Sequence, residues 1–515
     1  MYSIVSTAIV CGIQSLLIQV EADVCEGMPS FEMVGALSSE VREAKERVKA
    51  AIRNSGIRLA PKRVTVSLHP ADIRKAGTGF DLPIALSVLA AYGEIPQAYL
   101  DGILFAGELR LNGEILPTAG ILPMALAARE AKKDVVCVPR ENAREAQIVK
   151  GMKILPADSL DQVVALLGQF HKDKTAHGWE GQAKGYFRKE QQAACDFADI
   201  HGQKMLKRAC EVAACGRHNL LMLGMPGSGK TMAAQALTSI LPPLSEEEAL
   251  EIAKIYSVSG RFAQREPCFL SRPFQSPHHT ITVSGLVGGG VVPKPGEISL
   301  AHKGVLFLDE LTEFQKGALE TLRQPLEEGA IRLVRSSGTY VFPADIMLVA
   351  AMNPCNCGYF PDRNRCTCTS AMIRRHLHKI SRPLLDRMDL CVEVKRIKAL
   401  DLARKPEGES SSEIRERIQA AQRIQQARFA GARISYNSQI PASGAKDYCP
   451  MEPDAKALLQ ASFDRLELTV RGYYRILKVA RTIADLEGAG RIARRHILES
   501  IQYRSIDRNV WGVAI

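Results

Sequence analysis

Two segments carry the residue types needed to bind and hydrolyse a nucleoside triphosphate. The first, residues 224–231, fits G-x-x-x-x-G-K-[ST], a pattern in which glycines let backbone N–H groups surround phosphates. Its Lys230 would reach the terminal phosphates, and its Thr231 hydroxyl would ligate Mg²⁺. The predicted ATP-binding loop consists of Gly224, Met225, Pro226, Gly227, Ser228, Gly229, Lys230 and Thr231.

The second segment, residues 304–310, supplies the acids. Its apolar run 305–308 predicts a buried strand. Asp309 would then stand at the strand's end beside the Mg²⁺, and Glu310 would polarise the attacking water. An apolar run also precedes the first segment, and an Ala- and Leu-rich helical stretch follows it, as this motif requires. This context disfavours the alternative, a glycine turn that binds no nucleotide.

Length and charge limit the class of protein. A chain of 515 residues with 46% apolar side chains predicts about three globular domains. The net charge is +11, yet residues 1–170 carry 18 basic and 19 acidic side chains, so the basic excess belongs to the remainder. Such an excess favours phosphate-rich partners such as nucleic acid, although a solvated basic surface is the alternative.

No apolar stretch approaches the roughly twenty residues that span a bilayer. The first basic residue is Arg42, so the N-terminus lacks the charged start of a signal peptide. We therefore expect a cytoplasmic protein that is not inserted in a membrane.

Four of the 13 cysteines have the spacing of a metal site. They form a C-x-C, eight residues, C-x-C array, and four thiolates at this range could hold one tetrahedral zinc. The alternative is four reduced thiols in a mobile loop or an oxidation-prone cluster. The candidate zinc ligands are Cys355, Cys357, Cys366 and Cys368.

The predicted elements divide the chain into three domains and a linker. Residues 1–170 alternate short strands, at 16–20, 64–68, 104–106 and 135–138, with helices, which indicates an α/β domain. Residues 171–192 lose apolar periodicity and are predicted to be a linker. The ATPase core is expected over 193–395 and a helical domain over 396–515.

Several motifs resemble those of the YifB/ComM family of magnesium-chelatase-like AAA+ ATPases, and the resemblance spans nearly the whole chain. They are residues 34–35 (VG), 42–48 (REAKERV), 69–72 (HPAD), 80–85 (FDLPIA), 276–280 (SPHHT), 288–290 (GGG), 295–302 (PGEISLAH) and 350–355 (AAMNPC).

The resemblance implies an α/β fold with three parts. The N-terminal domain would resemble Lon proteases and RadA, of the ribosomal S5 domain 2-like type. The AAA+ P-loop core would carry a helix-2 insert, a pre-sensor hairpin and the Cys-rich loop, followed by a C-terminal helical lid. The implied function is that of a homo-hexameric, ATP-dependent DNA helicase that moves branches of joint molecules in homologous recombination and natural transformation, with recombination proteins as possible partners.

The resemblance also assigns three catalytic side chains. Asn353 would orient the attacking water, with a helix cap as the alternative. Arg387 would be the arginine finger that enters a neighbouring subunit's site. Arg471 would contact the γ-phosphate of its own subunit, with an exposed helical arginine as the alternative. The chain departs from the family pattern at Met225, where proline is usual, and at Arg382, where glycine is usual.

Two further segments are assigned to substrate contacts. The hairpin expected at residues 331–342 would place Arg332 and Arg335 on DNA, with plain surface arginines as the alternative. His278 and His279 are adjacent, point in different directions and have no carboxylate nearby in sequence. We therefore expect them to serve the loop's structure or the substrate, not to bind a metal.

Two rival functions remain open. One is a chelatase-like motor that remodels a protein partner, which the basic ATPase core disfavours. The other is an ATP-dependent Lon-like protease, whose nucleophilic serine should follow a Lys-x-Gly element. The element here begins at Lys75 and has Gly79 at the position of that serine, with Thr78 as its neighbour.

Overall fold

The computed structural model describes residues 1–173, 178–181, 195–265, 271–335, 338–362, 364–396, 408–432, 434–466 and 468–504. The fold is α/β, as predicted. Its N-terminal strands are β1 (Tyr2–Cys11), β2 (Gln14–Cys25), β3 (Ser30–Val34), β4 (Arg63–His69), β5 (Ile103–Phe105), β6 (Glu108–Leu109), β7 (Ile115–Leu116), β8 (Val135–Pro139), β9 (Lys153–Ala157) and β10 (Trp179–Glu180).

These strands form a mixed sheet in the order β10-β9-β8-β5-β1-β2-β4-β3, and β6 pairs with β7 in a small hairpin. The hairpin of β1 and β2 and the pair of β2 and β4 are antiparallel, whereas β5, β8 and β9 run parallel. The four strands predicted from sequence all form. Both β10 and the end of a helix that reaches Lys172 lie inside the predicted linker, most of which lies outside the described residues.

The N-terminal helices are α1 (Ser39–Asn54), α2 (Asp81–Tyr92), α3 (Ile121–Glu130), α4 (Ala143–Ala146) and α5 (Leu160–Lys172). Helix α1 buries the apolar side chains that its 3.6-residue period predicts. A bidentate ion pair joins it to α2, since Arg47 donates to both Asp81 oxygens at 2.7 and 2.9 Å. Burial raises the pKa of Asp81 and the Arg47 guanidinium opposes that rise.

The strands of the ATPase core are β11 (Leu220–Gly224), β12 (Phe274–Gln275), β13 (Gly288–Gly289), β14 (Lys294–Pro295), β15 (Val305–Leu308), β16 (Ala330–Arg335), β17 (Gly338–Pro343), β18 (Met347–Met352) and β19 (Leu390–Val394). Five of them form a parallel sheet in the order β12-β15-β18-β11-β19. The carboxyl ends of β11, β18 and β15 therefore lie side by side, at the edge where α/β proteins bind ligands. Hairpins form from β13 with β14 and from β16 with β17.

The helices of the core are α6 (Lys204–Gly216), α7 (Lys230–Ile240), α8 (Glu246–Ser259), α9 (Phe262–Arg265), α10 (Val283–Val287), α11 (Glu297–Leu300), α12 (Lys316–Thr321), α13 (Arg323–Glu328), α14 (Ser370–Leu377) and α15 (Arg382–Leu385). Those of the C-terminal region are α16 (Ser411–Arg428), α17 (Ala445–Tyr448), α18 (Pro453–Arg465), α19 (Val470–Leu486) and α20 (Arg494–Gln502).

Apolar packing fixes both flanking regions to the core. Buried side chains of α3, including Ile121 and Leu122, share one hydrophobic cluster with Ile252 and Tyr256 of α8. On the other side, α16 and α19 pack their buried Ile418 and Ile483 against α6 and α7. The packing of α16 and α19 on α6 and α7 therefore places the C-terminal helices against the core.

Candidate functional site

The phosphate loop connects β11 to α7 and depends on three glycines. Gly227 and Gly229 adopt φ of 70° and 91°, in the left-handed region that favours glycine. Gly224 is needed for close approach, because a Cβ there would lie 2.5 Å from the carbonyl oxygen of Val394. The loop therefore opens onto the start of α7, where backbone N–H groups and the helix dipole attract anions.

The Lys230 ammonium lies where two strand ends meet. Its Nζ donates to the carbonyl oxygens of Gly224 at 2.8 Å and Met225 at 3.0 Å, and to Oδ1 of Asn353 at 3.2 Å. Burial lowers the pKa of Lys230, while Asp309 and Glu310 oppose this by favouring the charged form. The structure thus brings the predicted lysine and the predicted water-orienting asparagine into direct contact.

The predicted metal ligands also meet. The Thr231 hydroxyl donates to Oδ2 of Asp309 at 2.7 Å, and the backbone N–H of Glu310 donates to Oδ1 of Asp309 at 2.9 Å. A hydroxyl and a carboxylate placed together at a phosphate loop are the oxygen ligands that Mg²⁺ takes in nucleotide sites. The donor set fits Mg²⁺.

A histidine of α14 contacts the backbone of Asn353. The Nε2–H of His376 donates to the Asn353 carbonyl oxygen at 3.1 Å, since that oxygen can only accept. Burial lowers the pKa of His376, and the bond to Asn353 opposes this shift. Sequence reasoning did not identify His376, which is far from Asn353 along the chain.

Arg387 and Arg471 lie together, away from these groups. Both guanidinium groups contact the carboxylate of Glu327 on α13, and the Arg471 Nη2 lies 3.4 Å from Oε1. Arg387 is buried and Arg471 is exposed. In the described ranges, neither contacts the phosphate loop or the acidic strand end. The expected contact of Arg471 with the γ-phosphate in its own subunit stays a prediction.

The four cysteines converge directly after Asn353. The Sγ atom of Cys355 lies 3.3 Å from that of Cys357 and 3.8 Å from that of Cys366. All four sulfurs lie within 4.8 Å of one another. A tetrahedral zinc with bonds of about 2.3 Å needs sulfurs about 3.8 Å apart, so the array fits zinc. A hydrogen bond from the backbone of Tyr359 lowers the pKa of the Cys357 thiol to about 6.

The cysteine loop touches the phosphate loop. Gly358 has φ of 81°, and a Cβ at this position would lie 2.5 Å from Cδ of Pro226. The same loop joins Asn353 at one end to α14 at the other. The cysteine loop therefore adjoins the nucleotide site at two points, Pro226 and Asn353.

The hairpin of β16 and β17 presents the two predicted DNA contacts to solvent. Arg332 and Arg335 are exposed, and Nε of Arg332 lies 3.5 Å from the Glu328 carboxylate. The guanidinium of Arg335 lies beside Gly289 of the insert hairpin. Residues 336–337, between the two strands, lie outside the described residues.

The N-terminal domain brings no serine to the Lon-like position. Gly79 occupies it, and the neighbouring Thr78 donates its hydroxyl hydrogen bond to Glu108. Lys75 is fully buried and donates to the carbonyl oxygen of Pro70. These contacts give Thr78 no lysine partner and do not favour proteolysis.

The structure also shows a contact between His279 and Glu310 that the sequence did not predict. Nδ1 of His279 lies 3.4 Å from Oε2 of Glu310. The pair arises because β12 and β15 are neighbouring parallel strands, and the short β12 carried no clear signal in the sequence. Knowledge of the strand order would have been needed to predict it.

Three segments match magnesium chelatase families. Residues 196–402 match the family described as magnesium chelatase, subunit ChlI, and residues 20–142 match subunit ChlI of Mg-chelatase. Residues 408–504 match the C-terminal region of the same subunit. None of the helices in the described ranges is long and apolar enough to cross a membrane.

Similar proteins cover nearly the whole chain. It is 39% identical to the uncharacterized protein YifB of Salmonella typhimurium over 509 residues, 98% of this chain and 97% of that protein. It is 39% identical to the competence protein ComM of Haemophilus influenzae over 501 residues, 96% of each. A shorter stretch of 167 residues, 30% of this chain and 20% of the relative, is 28% identical to the Lon protease of Nitratidesulfovibrio vulgaris.

These comparisons agree with the geometry of the core. A phosphate loop, an acidic strand end and an asparagine from a strand between them meet at one edge of a parallel sheet. The chain belongs to the YifB/ComM family of magnesium-chelatase-like AAA+ proteins.

Proposed function

We propose that the protein is an ATP-driven motor that moves along DNA as a homo-hexamer in the cytoplasm. The observation that carries this proposal is the convergence of Lys230, Thr231, Asp309 and Asn353, with Glu310 beside them, at the carboxyl edge of the sheet. Competence is the uptake of DNA, so the similarity to competence protein ComM supports a DNA substrate.

The chemistry is phosphoryl transfer to water, which needs positioning and charge neutralisation more than covalent help. The phosphate loop binds the phosphates of ATP, and Lys230 exchanges its carbonyl partners for phosphate oxygens. Mg²⁺ bound by Thr231 and Asp309 would neutralise charge on the phosphates. Asn353 orients the attacking water, and Glu310 accepts its proton.

Each active site is completed by the next subunit. Arg387 and Arg471 share Glu327 and lie away from their own phosphate loop, which supports delivery of both arginines to the neighbour's ATP. This assigns Arg471 differently from the sequence-based expectation, which kept it within its own subunit. Two guanidinium groups would then stabilise the charge that develops on the transferred phosphoryl group.

The DNA would pass along the exposed hairpin and the insert beside it. Arg332 and Arg335 face solvent, and the basic excess of the chain lies outside residues 1–170. Arginines that contact phosphates bind DNA without reading its sequence. Such binding suits a translocase that moves the branches of joint molecules during recombination and natural transformation, together with recombination proteins.

The cysteine loop is a structural zinc site in this proposal. Four thiolates at tetrahedral spacing would bind Zn²⁺, which closes the loop between Asn353 and α14. With four protein ligands the ion would stabilise the loop and would take no part in the chemistry. Its role would be to fix the loop that packs against Pro226.

A second candidate is a motor that remodels a protein partner. The match of three segments to magnesium chelatase subunits favours it. The two candidates share the same ATP site and differ in what stimulates turnover. The ATP site alone therefore cannot separate them.

The test is ATP hydrolysis by the purified protein with and without forked or three-stranded DNA, beside Glu310→Gln. We expect DNA to stimulate turnover several-fold and Glu310→Gln to abolish it. Turnover that is unaffected by DNA would favour protein remodelling. Full turnover by Glu310→Gln would refute the assigned catalytic carboxylate.

A further inference from the structure

Asp389 is a largely buried acid that lies two residues after Arg387 and directly before β19. Its side chain is 14% exposed. Oδ2 accepts a hydrogen bond from the backbone N–H of Asn219 at 3.1 Å and lies 3.5 Å from Nδ1 of His218. Oδ1 lies 3.4 Å from Nε of Arg475 on α19. The carboxylate therefore joins a C-terminal helix to the segment that carries Arg387.

The backbone of the same segment is held from two sides. The carbonyl oxygen of Met388 accepts hydrogen bonds from Arg475 at 3.5 Å and from Arg504 at 2.9 Å, both in the C-terminal region. On the core side, the side-chain amide of Asn219 donates to the carbonyl oxygen of Arg387 at 2.9 Å. The segment is thus fixed between the start of β11 and the C-terminal helices.

The buried pair lies beneath the two arginines that meet on α13. Arg475 follows Arg471 by one turn of α19, so both side chains project from the same face of that helix. The guanidinium groups of Arg387 and Arg471 both contact Glu327. Glu327 therefore joins the two arginines at their ends. The pair of Asp389 with Arg475 joins the two segments that carry them.

We propose that Asp389 and Arg475 are positioning residues that hold Arg387 and Arg471 as one unit for the neighbouring subunit's ATP. This rests on the proposed delivery of both arginines to the neighbour. The Glu327 carboxylate is 49% exposed and must release both guanidinium groups when they engage phosphate oxygens. The buried pair keeps its partners during that exchange, and a displacement of about 1 Å at a catalytic group can cost about 100-fold in rate.

The experiment begins with single variants of the full-length protein. Arg475→Gln and Asp389→Asn each remove one charge of the pair, and Asp389→Asn also keeps the size of its side chain. For both we expect kcat for ATP hydrolysis to fall about 10- to 100-fold, with KM for ATP within about twofold, since the phosphate loop is untouched. Arg475→Lys, which keeps a cation beside Asp389, should recover most of kcat. Arg494→Gln, at an exposed arginine of α20, is the matched control and should keep wild-type kcat.

Mixed rings separate positioning from a general loss of structure. Mixed assembly is verified by co-purification of a tagged variant. Arg475→Gln keeps its own phosphate loop, so an equal mixture with Lys230→Ala, which supplies intact arginines, should recover about a quarter of wild-type turnover. A mixture with Arg387→Ala, which supplies an intact loop but no finger, should stay near the level of Arg475→Gln alone.

Three results would each overturn the proposal: wild-type kcat in Arg475→Gln and Asp389→Asn, no gain on mixing with Lys230→Ala, or recovery on mixing with Arg387→Ala. The mixture of Lys230→Ala with Arg387→Ala tests the shared site by itself. If it stays at background in verified mixed rings, delivery of the arginines to the neighbour fails. If it recovers while the Arg475→Gln mixtures do not follow the expected pattern, the positioning role alone fails.

Discussion

Arg387 and Arg471 both contact Glu327, and from this we predict how neighbouring subunits share an active site. If both arginines enter the neighbour's site, a subunit with Arg471→Ala still has an intact phosphate loop of its own. A subunit with Lys230→Ala has lost its own site but still carries both arginines. Mixing these two inactive variants should therefore restore turnover at the interfaces where the first supplies the loop and the second supplies the arginines.

The size of the effect follows from the geometry of a ring. Loss of an arginine finger costs about 10³- to 10⁵-fold in kcat, so each variant alone should be close to background. In a ring of head-to-tail interfaces with equal, random mixing, about one quarter of the interfaces pair an intact loop with intact arginines. Independent sites would then recover about a quarter of wild-type turnover.

The assay is steady-state ATP hydrolysis in mixed hexamers formed from equal amounts of the two variants. A mixture of Lys230→Ala with Arg387→Ala should recover turnover too and verifies that subunits mix. A mixture of Arg471→Ala with Arg387→Ala should stay at background, since every interface lacks one arginine. Two results together would refute the reasoning: background turnover by Arg471→Ala mixed with Lys230→Ala, and recovered turnover by Arg471→Ala mixed with Arg387→Ala. They would show that Arg471 acts within its own subunit.

Three further predictions concern the supports of the site. Gly358→Ala should weaken ATP binding, measured by titration, about tenfold, because the left-handed backbone costs about 1–2 kcal/mol and the new Cβ meets Pro226. The control is Gly431→Ala, where φ is 80° and a Cβ would enter open space. An equal loss of ATP affinity in both variants would contradict the role of the Pro226 contact. Cys355→Ser should contain less zinc than wild type by atomic absorption and should have a lower Tm. A wild-type protein that contains no zinc after purification would contradict the proposed zinc site. Burial opposes ionisation of Asp389, but the neighbouring His218, the Arg475 guanidinium and the backbone N–H of Asn219 outweigh it and hold its pKa at about 2. Its contribution is therefore present above the unfolded pKa of about 3.9 and is lost as pH falls through about 2, so urea titrations should show wild type losing about 2 kcal/mol relative to Asp389→Asn in that window.

The elements that carry the central residues of the candidate site could be predicted because their motifs encode local geometry. The apolar run before the phosphate loop forms β11, and the run at residues 305–308 forms β15. These elements bring the Thr231 hydroxyl within hydrogen-bond distance of Asp309. The apolar period of α1 likewise predicted which of its side chains are buried. Each of these features depends on residues close together in the chain.

The features that sequence reasoning missed depend on packing between distant segments. The contact of Arg471 with Glu327 depends on the docking of α16 and α19 on the core, which no local pattern reveals. The contact of His279 with Glu310 needs the order of strands in the sheet. The strand β10 within the predicted linker has only two residues, Trp179 and Glu180, and a glycine on each side, and it pairs with β9.

Movement of a joint DNA molecule is the direct test of the central claim that ATP turnover at this site drives a DNA motor. The measurement is strand displacement from a three-stranded junction by the wild-type protein with ATP, beside Glu310→Gln at equal DNA occupancy. We predict displacement by the wild type and none by Glu310→Gln, although both bind the junction. ATP hydrolysis by the wild type with no displacement of any strand would contradict the account.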